Sequence, residues 1–275
     1  MARIIPHGAE APHNPAMRLS VVLITLNEAS NLRACLDSVA FADERIVVDG
    51  GSTDGTQAIA LECGANVVEH ADWPGFGPQK NRALDLARGD WVLSLDADER
   101  VSPELATQIR QVIQTNDSVA YELPRQTQFC GQWIRHCGWS PDRVLRLFRN
   151  GEARFTDDRV HERVVPAEEQ PYARLERLDG ALLHYSYPTP AHYWRKLQSY
   201  SQAWAEQRHA MGQTTSMGRA ALSGVAAFVR SYVFRLGFLD GAMGFAVCTM
   251  QAQGAFGKYF TLYCLGRQHA NHTHD

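Results

Sequence analysis

Trp91-Val92-Leu93-Ser94-Leu95-Asp96-Ala97-Asp98-Glu99 is a short apolar run that ends in three acids within four residues. Trp, Val and Leu at that density read as a buried strand. Carboxylates this close together are costly unless positive charge lies between them. Side chains alternate along an extended chain, so Asp96 and Asp98 share a face and offer two hard oxygen ligands to a divalent cation at the strand's carboxyl end. Open α/β sheets bind their ligands at that end. An Asp-X-Asp taken alone is more often a solvated acidic turn before a helix, so the rest of the chain decides.

Upstream, strand and helix patterns alternate. Leu19 to Thr25 is a continuous aliphatic, β-branched run, followed by Asn27-Glu28 and a helical stripe of Leu32, Cys35, Leu36 and Val39. Arg45 to Asp49 is a second such strand; Gly50 to Thr56 then forms a turn rich in cap residues and opens a helix that Gly64 stops. Ala65 to Glu69 predicts a third strand, and Gln79 to Arg88 a helix closed by Gly89 that leads into the Trp91 strand. Four alternations predict an α/β fold, a mostly parallel Rossmann-like sheet covered on both faces.

Downstream, Ser102-Pro103-Glu104 is a helix start, Ser as N-cap and Pro at the first helical position, so the acidic cluster runs straight into a helix to about Thr115. From Ser118 to Tyr187 short β-like pieces (120–123, 143–149, 160–165, 181–185) predict an antiparallel extension with long loops. From about Thr189 to Leu265 the pattern is helical. The domain reading is a loose tail over 1–17, a sheet domain over 18–188, a helical appendage over 189–266 and a tail over 267–275.

Within the appendage, Leu222, Val225, Val229, Tyr232, Val233 and Leu236 recur at helical spacing beside Phe228, Phe234, Arg219, Arg230 and Arg235. No uncharged apolar run approaches the roughly 20 residues a spanning helix needs. Such helices can pack on the sheet domain, pair in a dimer or lie in a bilayer interface with Arg on anionic headgroups.

With 275 residues, 45% of them hydrophobic, and a formal charge of −3, the chain has material for a full core and lacks the basic balance of a nucleic-acid binder. Six scattered cysteines, no Cys-x-x-Cys pair and no signal-peptide pattern predict free thiols and a cytoplasmic location.

Four motifs in order, Thr25-Leu26-Asn27-Glu28, Val48-Asp49-Gly50-Gly51-Ser52-Thr53-Asp54-Gly55-Thr56, Gln79-Lys80-Asn81 and Leu95-Asp96-Ala97-Asp98-Glu99, resemble family-2 glycosyltransferases with the GT-A fold. Gly138-Trp139-Ser140-Pro141-Asp142, Arg146-Leu147-Phe148-Arg149, Val160-His161-Glu162 and Gly237-Phe238-Leu239-Asp240-Gly241 look like the bacterial lipopolysaccharide-core β-1,4-glucosyltransferase subgroup. One departure stands out: family members often carry a second acid or a serine where this chain has Gly50.

The resemblance implies an inverting transfer of a hexose, glucose in the first instance, from a UDP-sugar to a lipopolysaccharide inner-core acceptor, with Mg²⁺ or Mn²⁺ as cofactor and peripheral contact with the inner membrane face. It implies that Thr25, Leu26, Asn27, Glu28 and Asp49 bracket a uracil, and that Asp98 is the main metal ligand, with Asp96 shared between metal and donor and Ala97 beside them. Lys80 balances phosphate charge or is a surface lysine. A single displacement needs one acceptor-side base and no enzyme nucleophile; Glu162 is the first candidate and Asp142 the second. His161 is a second metal ligand, an orienting partner of Glu162, or a plain strand histidine. Trp139 stacks on a sugar or belongs to the core. A transferase for another glycan or a peptide, and a non-catalytic nucleotide-sugar-binding scaffold, are the competing readings.

Overall fold

Leu19–Thr25 is buried at every position, the environment in which a strand without polar alternation is stable. In the computed structural model, which describes residues 3–4, 18–114, 120–157, 162–168, 172 and 174–272, this strand lies inside an α/β sheet, hydrogen-bonded on both sides. In chain order the elements are β1 (Arg3–Ile4), β2 (Leu19–Thr25), α1 (Ala29–Ser38), β3 (Glu44–Asp49), α2 (Thr56–Glu62), β4 (Asn66–Glu69), α3 (Phe76–Asp85), β5 (Trp91–Asp96), β6 (Glu99–Val101) and α4 (Pro103–Val112). There follow β7 (Ala120–Phe129), β8 (Gln132–Trp133), β9 (Asp142–Arg149), β10 (Ala153–Phe155), β11 (Val164–Pro166), β12 (Leu175–Arg177), β13 (Leu182–Tyr187), α5 (Pro190–Ala210), α6 (Met217–Val229) and α7 (Gly241–His272).

The chain divides into two units, residues 1–125 with 143–184, and residues 126–142 with 185–275. In the first, the sheet runs β1-β4-β3-β2-β5-β9-β7-β13-β6. β4, β3, β2 and β5 are parallel, and β9 joins β5 antiparallel, as the change of pattern after Ser118 predicts. Period-two alternation sends Leu19, Val21 and Leu23 of β2 into a layer with Leu32 and Leu36 of α1 and Leu105 and Ile109 of α4. Val22 and Ile24 face the opposite layer with Ala83 and Leu84 of α3 and Phe148 of β9. Truncating a residue such as Leu23 to Ala costs about 2–5 kcal/mol at a site this tightly enclosed.

Two local expectations need correction. The acids do not run straight into a helix: Glu99–Val101 forms β6, antiparallel to Leu182–His184, because a buried Glu99 and Val101 continue the alternation begun in β5. Arg3–Ile4, within the stretch read as a loose tail, pairs with Val68 and Glu69. The helix start is as the sequence predicts; the Ser102 hydroxyl accepts from the Leu105 amide with Pro103 at the first position.

The second unit holds residues that the patterning alone assigns to the sheet domain. Phe129, Ile134 and Cys137 are buried among Tyr193, Val247, Cys248 and Met250, and that apolar contact groups 126–142 with the C-terminal helices. The helical region is broken: a π-helical turn over Arg230–Phe234 and a 3₁₀ turn over Gly237–Asp240 separate α6 from α7, which runs to His272. Small residues set the close crossings, with Gly224 against Ala252 and Phe256, and Gly254 against Leu197. All six cysteines are free thiols.

Candidate active site

Sequential order of the parallel strands reverses between β2 and β5, since β3 and β4 extend the sheet on one side of β2 and β5 on the other. Loops leaving carboxyl ends at such a reversal diverge and open a crevice. Thr25 and Asp96 stand there, with Ile24 in register with Asp96 and Thr25 with Asp49.

The loops after β2 and β3 are tied together. Asp49, fully buried, accepts from the Thr25 hydroxyl (2.7 Å), the Ser52 hydroxyl (2.6 Å), the Gly51 and Ser52 amides (3.0 and 2.8 Å) and Gln57 Nε2 (2.7 Å). Burial alone would raise its pKa, but the donors from Ser52, Gln57 and Thr25 outweigh it and hold the carboxyl below its usual range. Five donors use up its lone pairs. Asn27, at φ 58°, donates its amide to the Ser52 hydroxyl, and its side-chain oxygen accepts from the Thr53 amide. The Glu28 amide donates to Thr56, and the Ala29 amide in the first turn of α1 to Asp54. Leu26 is exposed above this frame. Gly50 has a steric reason: a Cβ there would lie 2.5 Å from Cε3 of Trp73.

Charge converges at the end of β5. Lys80, from α3 and 4% exposed, places Nζ 2.8 Å from Asp96 Oδ1 and 2.8 Å from Glu162 Oε1. Arg146, from β9 and equally enclosed, donates Nη2 to Asp96 Oδ2 and to Glu99 Oε1 (2.9 Å). Burial of Asp96 opposes its charge, yet Arg146 and Lys80 together hold its carboxyl well below the usual range. Glu99 is inaccessible; it also accepts from the Asp96 amide (3.0 Å) and faces Arg125 at 3.5 Å. Arg146 Nε is buried without a hydrogen-bond partner among the described residues. The positive charge that Asp96, Glu99 and Glu162 require comes from residues 80, 125 and 146.

Asp98 points to a different partner, His184 Nε2 at 3.3 Å from its Oδ2. No group of three or more His, Cys, Asp and Glu suited to a metal occurs among the described residues, and His161 lies outside them. A carboxylate such as Asp98 nonetheless suits a divalent cation that takes its remaining ligands from water and a diphosphate, the usual mode for Mg²⁺, whereas the imidazole of His184 suits transition metals better than Mg²⁺. Asp96 meets Lys80 and Arg146 with its two oxygens, and Asp98 meets neither in this cluster.

Of the sequence candidates, Lys80, Asp96 and Glu162 are brought into one cluster, with Ala97 buried beside it. Lys80 meets carboxylates, and is no surface lysine. Asp142 opens β9 as the last residue of the 126–142 segment. Trp139, half-buried, stacks on Tyr193 (6.2 Å, 26°) and packs on Tyr187 and Phe129 within one aromatic cluster. Arg146 and His184 are what sequence reasoning missed. Arg146, flanked by Leu145 and Leu147 in the middle of the Arg143–Arg149 strand, was the available signal, since a buried strand Arg demands a carboxylate.

The family model for glycosyl transferase family 2 matches residues 20–166. The lipopolysaccharide core biosynthesis glycosyltransferase LpsC of Rhizobium meliloti (strain 1021) is 30% identical over 88% of this chain and 90% of its own. An uncharacterized glycosyltransferase of Rickettsia prowazekii (strain Madrid E) is 29% identical over 83% of this chain and 80% of its own. Among solved structures, TarS of S. aureus aligns over 92% of each chain at 17% identity and a TM-score of 0.47. Glucosyl-3-phosphoglycerate synthase from Mycobacterium tuberculosis, crystallised with Mn²⁺, UDP and glucosyl-3-phosphoglycerate, aligns over 42% of this chain and 45% of its own at 27% identity and a TM-score of 0.33.

Proposed function

Since the chain belongs to glycosyl transferase family 2, we propose that it moves a hexose, glucose in the first instance, from a UDP-sugar to a lipopolysaccharide inner-core hydroxyl with inversion at the anomeric carbon. The observation that carries this reading is the Lys80 ammonium joined at once to Asp96 and Glu162. It unites the end of β5 with a second carboxylate 66 residues further along the chain.

In this reading the uridine lies over the Thr25–Glu28 loop, with Leu26 as its apolar contact. Asp49 acts through the loop it holds, because its own oxygens are occupied. Asp96, oriented by Lys80 and Arg146, faces the donor beside Ala97. Asp98, with His184 beside it, would hold Mg²⁺ or Mn²⁺, and that cation would supply the charge that the departing diphosphate needs. Glu162 takes the proton of the acceptor hydroxyl while the new bond to the anomeric carbon forms and the bond to the phosphate oxygen breaks. Asp142 is the second choice for that base. A cytoplasmic enzyme working on a membrane-borne acceptor suits this chemistry.

The test incubates the purified chain with a panel of UDP- and GDP-sugars, Mg²⁺ or Mn²⁺, and truncated lipopolysaccharide or soluble glycans. Turnover of a UDP-hexose that falls at least a hundredfold in Glu162→Gln and in Asp98→Ala, with circular dichroism unchanged, is the expected result. Absence of binding and turnover for every donor in the presence of metal overturns the proposal.

A further inference from the structure

The motif Gly237-Phe238-Leu239-Asp240-Gly241 takes no part in the transfer chemistry, and it has a partner within the second unit. The 3₁₀ turn over Gly237–Asp240 ends on a buried carboxylate. Asp240 accepts from the Arg135 amide (3.2 Å), the His136 amide (2.8 Å) and the Cys137 thiol (3.6 Å), and it meets His136 Nδ1 at 2.9 Å. A carboxylate that already accepts two amides offers only lone pairs, so Nδ1 carries the proton and Nε2 keeps its lone pair. The His136 side chain is 31% exposed, and Asp240 is the one partner of its ring among the described residues, so Nε2 opens to solvent.

A tight turn presents this ring. The Trp139 amide donates to the His136 carbonyl (2.9 Å), and the two residues between them, Cys137 and Gly138, have φ 61° and 82°. Positive φ at both central positions marks a type I′ turn, which Asn-Gly fills at little cost and a cysteine does not. Cys137 is held in that conformation from every side. Its buried thiol donates to Asp240 and to the Gly244 carbonyl (3.6 Å each), its amide donates to the Arg235 carbonyl, and its own carbonyl accepts from Gln251 Nε2. Backbone strain fixed by this many contacts gathers where a fold presents a functional side chain.

The glycines of the motif keep the acid in place. A Cβ at Gly237 would lie 2.5 Å from Cys248 Sγ, and one at Gly244 would lie 2.0 Å from the Gly237 carbonyl oxygen, so the 3₁₀ turn and α7 touch backbone to backbone. The first and last positions of a β-turn have Cα atoms within about 7 Å of one another. Here they carry His136 and the half-buried Trp139, an imidazole acceptor and an indole on neighbouring positions.

We propose that His136 and Trp139 form a sugar subsite of the second unit, in which His136 Nε2 accepts a hydroxyl of the acceptor glycan and the open part of the indole meets the apolar face of the same ring. A neutral acceptor fixed by a buried carboxylate suits a hydroxyl donor. An aromatic beside a few placed polar groups is the usual lining of a small-ligand site. His136 is thereby a specificity residue, and Asp240 is the group that positions it. The identity of the ligand as the acceptor glycan rests on the proposed function, whereas the subsite lies wholly within residues 126–142 and 185–275.

Calorimetry of the full chain with deacylated, truncated lipopolysaccharide, with and without UDP and Mn²⁺, provides the test. His136→Ala removes the ring. His136→Asn places an amide nitrogen where Nδ1 stands, so the bond to Asp240 survives and only the outer nitrogen is lost. Saccharide binding is expected to weaken at least tenfold in both variants and severalfold in Trp139→Phe, with UDP affinity unchanged in all three and thermal unfolding unchanged in His136→Asn. A histidine that only braces the loop predicts wild-type saccharide binding in His136→Asn, and that result overturns the proposal. Failure of the wild-type chain to bind the saccharide in either condition overturns it as well. Binding that depends on His136, without turnover of any donor, sinks the transfer reaction and leaves the subsite standing. Turnover with an unchanged acceptor KM in His136→Asn does the reverse.

Discussion

Replacing Lys80 by Met keeps the length and apolar stem of the side chain and removes only the ammonium between Asp96 and Glu162. The two 2.8 Å contacts place the carboxylate oxygens no more than about 5.6 Å apart. At an effective dielectric of about 20, two like charges at that distance repel by about 3 kcal/mol. Loss of one partner from an enclosed ion pair costs about 3–5 kcal/mol. Arg146 still holds Asp96, so the lower end, about 3 kcal/mol at pH 7, is expected. The sign with pH follows from Asp96, whose pKa is depressed in the folded chain. Its stabilisation is present above the unfolded value of about 3.9 and lost as pH falls through the folded value. The deficit of Lys80→Met should therefore be full at pH 7 and shrink below about pH 4. Urea unfolding followed by circular dichroism at several pH values measures it, alongside a double-mutant cycle with Glu162→Gln. Removing the second negative charge should recover about 3 kcal/mol in the Lys80→Met background. A deficit that does not change with pH, together with no recovery in the double variant, would refute the bridge as the organiser of the cluster.

Other consequences are as specific. Arg146→Met leaves the inaccessible Glu99 with the Asp96 amide and Arg125 at 3.5 Å, so a loss of about 3–5 kcal/mol is expected in denaturant titration, partly restored by adding Glu99→Gln. Gly50→Ser forces a Cβ against the Trp73 ring and should lower stability by about 1–3 kcal/mol; a second Trp73→Ala change should relieve it, as thermal melts would show. Asp49→Asn turns one acceptor into a donor that faces donors, at about 2–3 kcal/mol near neutral pH. Because the folded Asp49 pKa is lowered, that gap is present above about pH 4 and closes as acid protonates the wild-type carboxyl.

Much of the sheet was legible because its signals are local. The aliphatic runs of β2, β3 and β5, the glycine-rich turn after Asp49 and the Ser102-Pro103 helix start each depend on a few neighbouring residues. The acids of the β5 terminus and Glu162 were also visible as side chains in search of partners. What pairs with them was not. Lys80, Arg146 and His184 reach Asp96, Glu99 and Asp98 from three different elements, and their encounter depends on which strands become neighbours. The grouping of 126–142 with the C-terminal helices was hidden for the same reason, since short β-like pieces carry no mark of the partner they will pack against. By itself the sequence determined the alternation of strand and helix, the acids at the head of β5 and the cationic, apolar character of the C-terminal segment. Only the tertiary structure decided which cation meets which carboxylate and which segments pack into one unit. Strand and helix propensities act over a few residues, whereas charge pairing and burial act between segments that the folded chain alone brings together.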